Sequence, residues 1–229
     1  MVERITTGID GLDEMLQGGI PKNRHVAIFG GPGTGKTTLG MQFLYHGAQK
    51  GEKGLYVSLE EPPEQIIENV KAVFPSWSSN IDSMISNSSL FIKKPEHYTL
   101  DSLIETTEST IVDSNVTRLV IDSSTVVEAF FATKEEYRKN IVEFMNLLKT
   151  LDASVLFLVE AHSAEMDITY KLEHYIMDGI INVYNLQRGS SRVRALEVYK
   201  MRATNHSPNL VPLRITPEGI KVFPTEKVL

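Results

Sequence analysis

Residues 30–38 read GGPGTGKTT, and this stretch decides the fold because it fills the whole GxxxxGK(S/T) pattern between two segments of different character. Residues 25–29 (HVAIF) have the composition of a buried parallel strand. Residues 37–49 (TTLGMQFLYHGAQ) carry Leu39, Met41, Phe43, Leu44 and Ala48 at mixed helical spacing. The pattern therefore has the strand, loop and helix context that its chemistry needs.

Gly30, Gly31, Gly33 and Gly35 let the backbone bend and turn its N–H groups inward around a polyphosphate, at the positive end of the helix beginning near Lys36. Gly31, Pro32, Gly33, Thr34, Gly35, Lys36, Thr37 and Thr38 are accordingly the expected nucleotide-binding residues. Lys36 brings a point charge to the outer phosphates, and the Thr37 hydroxyl is expected to ligate a magnesium ion bridging them. The alternative is a glycine-rich turn that merely joins strand to helix.

The length of 229 residues and 41% hydrophobic content suit one large domain spanning 1–229 with a sizeable core. A net charge of −6 argues against holding nucleic acid through a whole-surface positive field, although it leaves room for a local basic patch. With no cysteine, disulfides and thiolate metal sites are excluded. No segment resembles a signal peptide or approaches the ~20 apolar residues of a membrane span, so the expected compartment is the cytoplasm.

Before the loop, residues 4–21 show a capping candidate, Thr7, ahead of a short helix pattern through Ile9, Leu12, Met15 and Leu16 that Gly18 and Gly19 end. After it, residues 54–59 (GLYVSL) read as a strand ending in Glu60 and Glu61, with a helix over 63–74. Side chains leaving the carboxyl end of such a strand project toward the ligand crevice, where a carboxylate can orient and deprotonate an attacking water. Equally, two acids there can simply favour the start of the following helix. Residues 76–89 are serine-rich without a clean period, which reads as an irregular surface excursion holding Trp77.

A short strand at 90–92 and a helix over 100–112 lead to RLVID at 118–122, an apolar strand ending in Asp122 and followed by Ser123, Ser124 and Thr125. At this βα spacing Asp122 is the expected partner of Thr37 at the magnesium, usually through water. A helix over 135–149 precedes the apolar strand 154–159, beyond which Glu160 and His162 either sense the outer phosphate or are ordinary polar residues. The other histidines, His174 among them, show no metal-ligand spacing. From Gly179 onward three closely spaced strand patterns extend the sheet by hairpins. Five cations, Arg188, Arg192, Arg194, Lys200 and Arg202, stand there against one acid, Glu197; Lys200 and Arg202 alternate onto one face, and a charged, solvated edge is the ordinary reading.

Taken together, RITTGIDGLDEMLQGGIP (4–21), GGPGTGKTT, SLEE (58–61), RLVID and YKMR (199–202) resemble the KaiC-like branch of the RecA superfamily over residues 4–223. The first and last segments carry the resemblance, since the loop alone fits many P-loop ATPases. It implies an α/β fold, a RecA-like P-loop core with a central, mostly parallel sheet flanked by helices and with C-terminal antiparallel strands. It implies ATP and Mg2+ as ligands, Glu60 and Glu61 as the source of the catalytic base, and Lys200 and Arg202 reaching a neighbouring subunit's phosphates. A cation supplied in trans acts as an arginine finger, and a head-to-tail contact that closes on itself gives a ring, in this family typically a hexamer. Clock proteins of the family carry two such domains and a phosphorylated site; no segment here matches that site, so a timekeeping role is not expected.

Three functions follow as expectations. One is an ATPase whose hydrolysis alters ring contacts and signals to a protein partner. Another is a RecA- or RadA-like recombination accessory binding single-stranded DNA, which wants basic grooves with aromatic platforms where this chain's basic cluster has only Tyr199. The last is a nucleotide-gated regulatory module with little hydrolysis, stabilised by ATP through mass action.

Overall fold

Strands can be apolar throughout only where helices cover both faces of their sheet, and the runs at residues 26–29, 55–57, 119–121 and 155–159 are buried along their whole lengths. The computed structural model describes residues 2–123, 125–161, 170 and 176–228. The amino-terminal half holds β1 (Arg4–Ile5), α1 (Leu12–Met15), β2 (Ile20–Pro21), β3 (His25–Gly30), α2 (Lys36–Gln49), β4 (Gly54–Ser58), α3 (Pro63–Val73), α4 (Ser78–Ser86) and β5 (Leu90–Lys93). There follow α5 (Leu100–Ser114), β6 (Arg118–Asp122), α6 (Lys134–Thr150), β7 (Ser154–Glu160), β8 (Gly179–Arg188), β9 (Ser191–Met201), β10 (Val211–Thr216) and β11 (Gly219–Val222).

Among the described residues a nine-stranded sheet has the order β11-β10-β9-β8-β3-β7-β6-β4-β5. Pairing is parallel from β8 to β5 and antiparallel from β8 to β11. The α/β, RecA-like architecture expected from the sequence is thus the observed one. Because side chains alternate across a strand, β3 feeds two cores. Val26 and Ile28 pack in the cluster with α2, α3 and α4, while Ala27 and Phe29 pack in the one with α5 and α6. Every parallel strand ends on the same edge, so the segments after β3, β4, β6 and β7 gather there.

Two local expectations are corrected. Thr7 does not cap α1, whose preceding residue is Gly11; instead its N–H and Oγ1 donate to Asp13 Oδ1 at 2.7 and 2.8 Å, and Gly8 N donates to Oδ2 at 3.3 Å. The carboxylate in the first turn gathers the loop's donors, so the turn is closed from inside the helix. Residues 76–89 are not irregular: a 3-10 turn (Pro75–Trp77) runs into α4. Trp77, Ile81 and Met84 recur at helical spacing and are buried, with Trp77 stacked on Tyr45 at 4.2 Å between centroids, while most of the serines face outward. Three apolar anchors outweighed a serine-rich composition that reads as loop.

Gln42 locks α2 to both ends of the chain. Its Nε2 donates to Gly8 O at 2.7 Å and Ile220 O at 3.2 Å, and its Oε1 accepts from Ile220 N at 2.6 Å. The helix that carries the phosphate loop is thereby fixed against the amino-terminal segment and against β11.

Candidate functional site

The loop between β3 and α2 bends at Gly33 and Gly35, whose φ values of 73° and 97° lie in the left-handed region that glycine enters without strain. Gly35 is also the residue from which the 14-residue α2 starts, so the free N–H groups and positive end of a long helix face the loop's concavity. Thr34 is turned inward and donates to Gly31 O at 2.8 Å, which braces the loop. Lys36 Nζ donates to Gly30 O at 2.8 Å and Gly31 O at 3.2 Å, which holds the ammonium at the mouth. Burial pulls the lysine below its ordinary pKa, opposed by Asp122, Glu160 and Glu60.

Asp122 stands at the end of β6, level with Ser58 of β4 and Leu158 of β7. Thr37 Oγ1 donates to Asp122 Oδ2 at 2.7 Å, and the Tyr56 hydroxyl donates to the same oxygen. Glu60 and Glu61 have different neighbours. Ser123 Oγ donates to Glu60 Oε1 at 2.9 Å beside Asp122, whereas Glu61 Oε2 accepts from Asn69 Nδ2 of α3 at 3.1 Å. Pro32, Gly33, Lys36, Thr37, Ser58, Glu60, Glu61, Asp122 and Glu160 line one cleft of about 190 Å3. Thr38 follows Thr37 in the first turn of α2, half-buried. Ser124, His162 and His174 lie outside the described residues.

This donor set suits a magnesium ion carried with a nucleotide. No group of three or more His, Cys, Asp or Glu side chains able to hold a metal occurs among the described residues. Magnesium on a nucleotide needs only one or two protein oxygens beside phosphate and water, and Thr37 and Asp122 stand within hydrogen-bonding distance of each other at the loop.

Lys200 and Arg202 are elsewhere. Gly179 pairs with Met201 on one side and with Val26 on the other, which puts the end of β9 at the amino end of β3. The phosphate loop leaves the opposite end, about 13 Å farther along at 3.3 Å per residue. Within one chain the two cations therefore do not meet the cleft. Lys200 Nζ donates to Met177 O at 2.7 Å, and Arg202 pairs with Asp178. Arg194, counted in the sequence only as one of five cations, does meet the loop: opposite Asn185 across the β8–β9 hairpin, its Nε donates to Gly33 O at 3.0 Å. Tyr56, Asn69 and Arg194 carried no sequence signal, because each acts through a register or crossing that only the folded chain sets.

The family model described as KaiC ATPase matches residues 5–227. A UPF0273 protein from Thermotoga maritima is 33% identical, covering 99% of this chain and 98% of its own. The circadian clock oscillator protein KaiC of a Picosynechococcus species is 32% identical over 97% of this chain, which spans 45% of that longer protein. The crystal structure of a KaiC-like protein from Pyrococcus horikoshii OT3 superposes with a TM-score of 0.87 at 29% identity, covering 97% of this chain and all of that one.

Proposed function

This chain belongs to the KaiC ATPase family, and from that premise we propose that it binds Mg-ATP at residues 30–38 and hydrolyses it within a ring of identical one-domain subunits. The observation that carries the reading is the division of charge. The phosphate loop, Thr37, Asp122, Glu60 and Glu61 share one cleft, while Lys200 and Arg202 sit at the far end of the sheet, away from their own chain's cleft.

The loop N–H groups and Lys36 hold the polyphosphate, and Thr37 with Asp122 holds the metal. A magnesium ion there neutralises charge on the outer phosphates. Glu61 orients the attacking water and takes its proton, with Glu60 beside it. Lys200 and Arg202 of the adjacent subunit offset the charge that builds on the transferred phosphoryl group, so turnover depends on assembly. Each round then changes the contacts between subunits and passes that change to a protein partner.

The test is phosphate release at saturating Mg-ATP, measured across a dilution series alongside oligomer size. Specific activity that falls as the oligomer dissociates supports the reading; activity carried undiminished by monomers removes the trans role. A second reading, a nucleotide-gated module with very slow turnover, draws support from the fact that both candidate bases already accept hydrogen bonds, from Ser123 and Asn69. Nucleotide-dependent assembly without phosphate release distinguishes it.

A further inference from the structure

We infer that Tyr56 is a positioning residue for Asp122, fixing the plane of that carboxylate so that one oxygen is presented to a nucleotide-borne magnesium ion; this rests on the Mg-ATP reading above. Tyr56 pairs with Val120 in the parallel β4–β6 ladder and Ser58 with Asp122, so Tyr56 lies two residues below Asp122 on the face covered by α2. A rise of about 6.6 Å separates the two levels. A phenol running along the sheet spans that gap, and its hydroxyl reaches Asp122 Oδ2.

The ring is fully buried in the apolar cluster, where a phenylalanine would fill the same space. A hydroxyl placed there needs a partner, and it has one, the carboxylate at the candidate metal site. Thr37 Oγ1 donates to the same Oδ2, and among the described residues no side chain or backbone group donates to Oδ1. The terminal torsion of an aspartate is broad and nearly two-fold, so rotamer preference alone does not choose the carboxylate plane. Two donors converging on Oδ2 choose it, and they leave Oδ1 as the acceptor for a metal-bound water. The Thr37 hydroxyl can donate its proton to Asp122 while its oxygen lone pairs face a metal, and the Tyr56 hydroxyl supplies the second donor to the same oxygen.

The test compares wild type with Tyr56→Phe, using a fluorescent ATP analogue titrated in EDTA and then over a magnesium series, with melting temperature as a control. Wild type is expected to bind more tightly as magnesium is added. For the variant, affinity in EDTA and melting temperature stay close to wild type, and the magnesium concentration giving half of the tightening rises on the order of tenfold, as for other residues that orient metal ligands. An unchanged magnesium midpoint overturns the inference. So does a parallel loss of affinity in EDTA or a variant that does not fold, since either gives the hydroxyl a purely structural role. A wild type that binds no analogue under any condition removes the Mg-ATP reading itself, and this inference with it.

Discussion

Arg202 Nη1 lies 3.3 Å from Asp178 Oδ1, and Arg24 Nη1 lies 3.4 Å from the same oxygen, so one buried carboxylate holds two guanidinium groups at the amino end of β3. Asp178 Oδ2 accepts from His25 N at 3.3 Å, which anchors the carboxylate to the strand that leads into the phosphate loop. Arg202 is thus oriented from behind while half of its side chain remains exposed.

Arg202→Ala is expected to lower steady-state turnover about a thousandfold, the low end of the 10³–10⁵ that arginine fingers contribute. The affinity of dilute, unassembled protein for a fluorescent nucleotide should not change, because Arg202 does not reach its own cleft. A variant with wild-type turnover would end the case for a trans cation. Asp178→Asn keeps the shape but weakens the hold on Arg202, and a smaller loss in turnover, without loss of oligomer, is expected.

Glu61→Gln should reduce turnover at least tenfold with nucleotide affinity intact, the effect of removing a general base rather than a binding group. Glu60→Gln tests the neighbouring carboxylate, which accepts from Ser123 next to Asp122. If Glu60→Gln is the more damaging of the two in single-turnover phosphate release, the base is Glu60 and Glu61 is the residue that braces α3 through Asn69.

The loop, the acids after β4 and the aspartate ending β6 were readable because each is written in a few consecutive residues whose period or pattern declares the strand end. Glu60, Glu61 and Asp122 needed only the rule that parallel strands finish on one edge. Arg194 was not readable, since its contact with Gly33 depends on the register of the β8–β9 hairpin, which turn composition alone did not supply. Tyr56 was hidden in the same way: within GLYVSL it is an ordinary strand aromatic until β6 pairs beside it and aligns Asp122 with Ser58. Trp77 misled because its stacking partner, Tyr45, comes from α2, far away along the chain.

Arg118 opens β6 at 1% exposure, ion-paired to Glu52, donating to Thr6 O at 2.8 Å and Phe43 O at 3.0 Å, with its guanidinium over the Phe43 ring. One side chain thereby joins the amino-terminal segment, α2 and the sheet. Arg118→Ala leaves the Thr6 and Phe43 carbonyls without that donor and opens a cavity, and a loss of about 3 kcal/mol in urea unfolding is expected. Gly47→Ala attacks the same joint, because a Cβ there would lie 2.4 Å from Arg118 Nε. The two losses should fall well short of additive, and full additivity would separate Gly47 from the Arg118 network.

His25 begins β3 at 1% exposure, its ring edge-on to Phe157, and neither ring nitrogen has a hydrogen-bond partner among the described residues. Burial, only partly opposed by Asp178, lowers its pKa from 6.5 to about 4. The folded chain therefore holds a neutral imidazole where the unfolded chain binds a proton. Its contribution to stability is intact above pH 6.5 and is lost as the pH falls toward 4, since protons then favour the unfolded state. At pH 5 the loss is about 2 kcal/mol, from 1.36 kcal/mol for each unit below 6.5. Replacing His25 by Leu removes the titrating group from both states. In urea unfolding at pH 7 and pH 5, the drop in stability between the two should be smaller for the variant by about that amount. Equal drops in the two proteins would mean that the imidazole is protonated in the native fold, and that Asp178, already shared by Arg24 and Arg202, outweighs the cost of burying its charge.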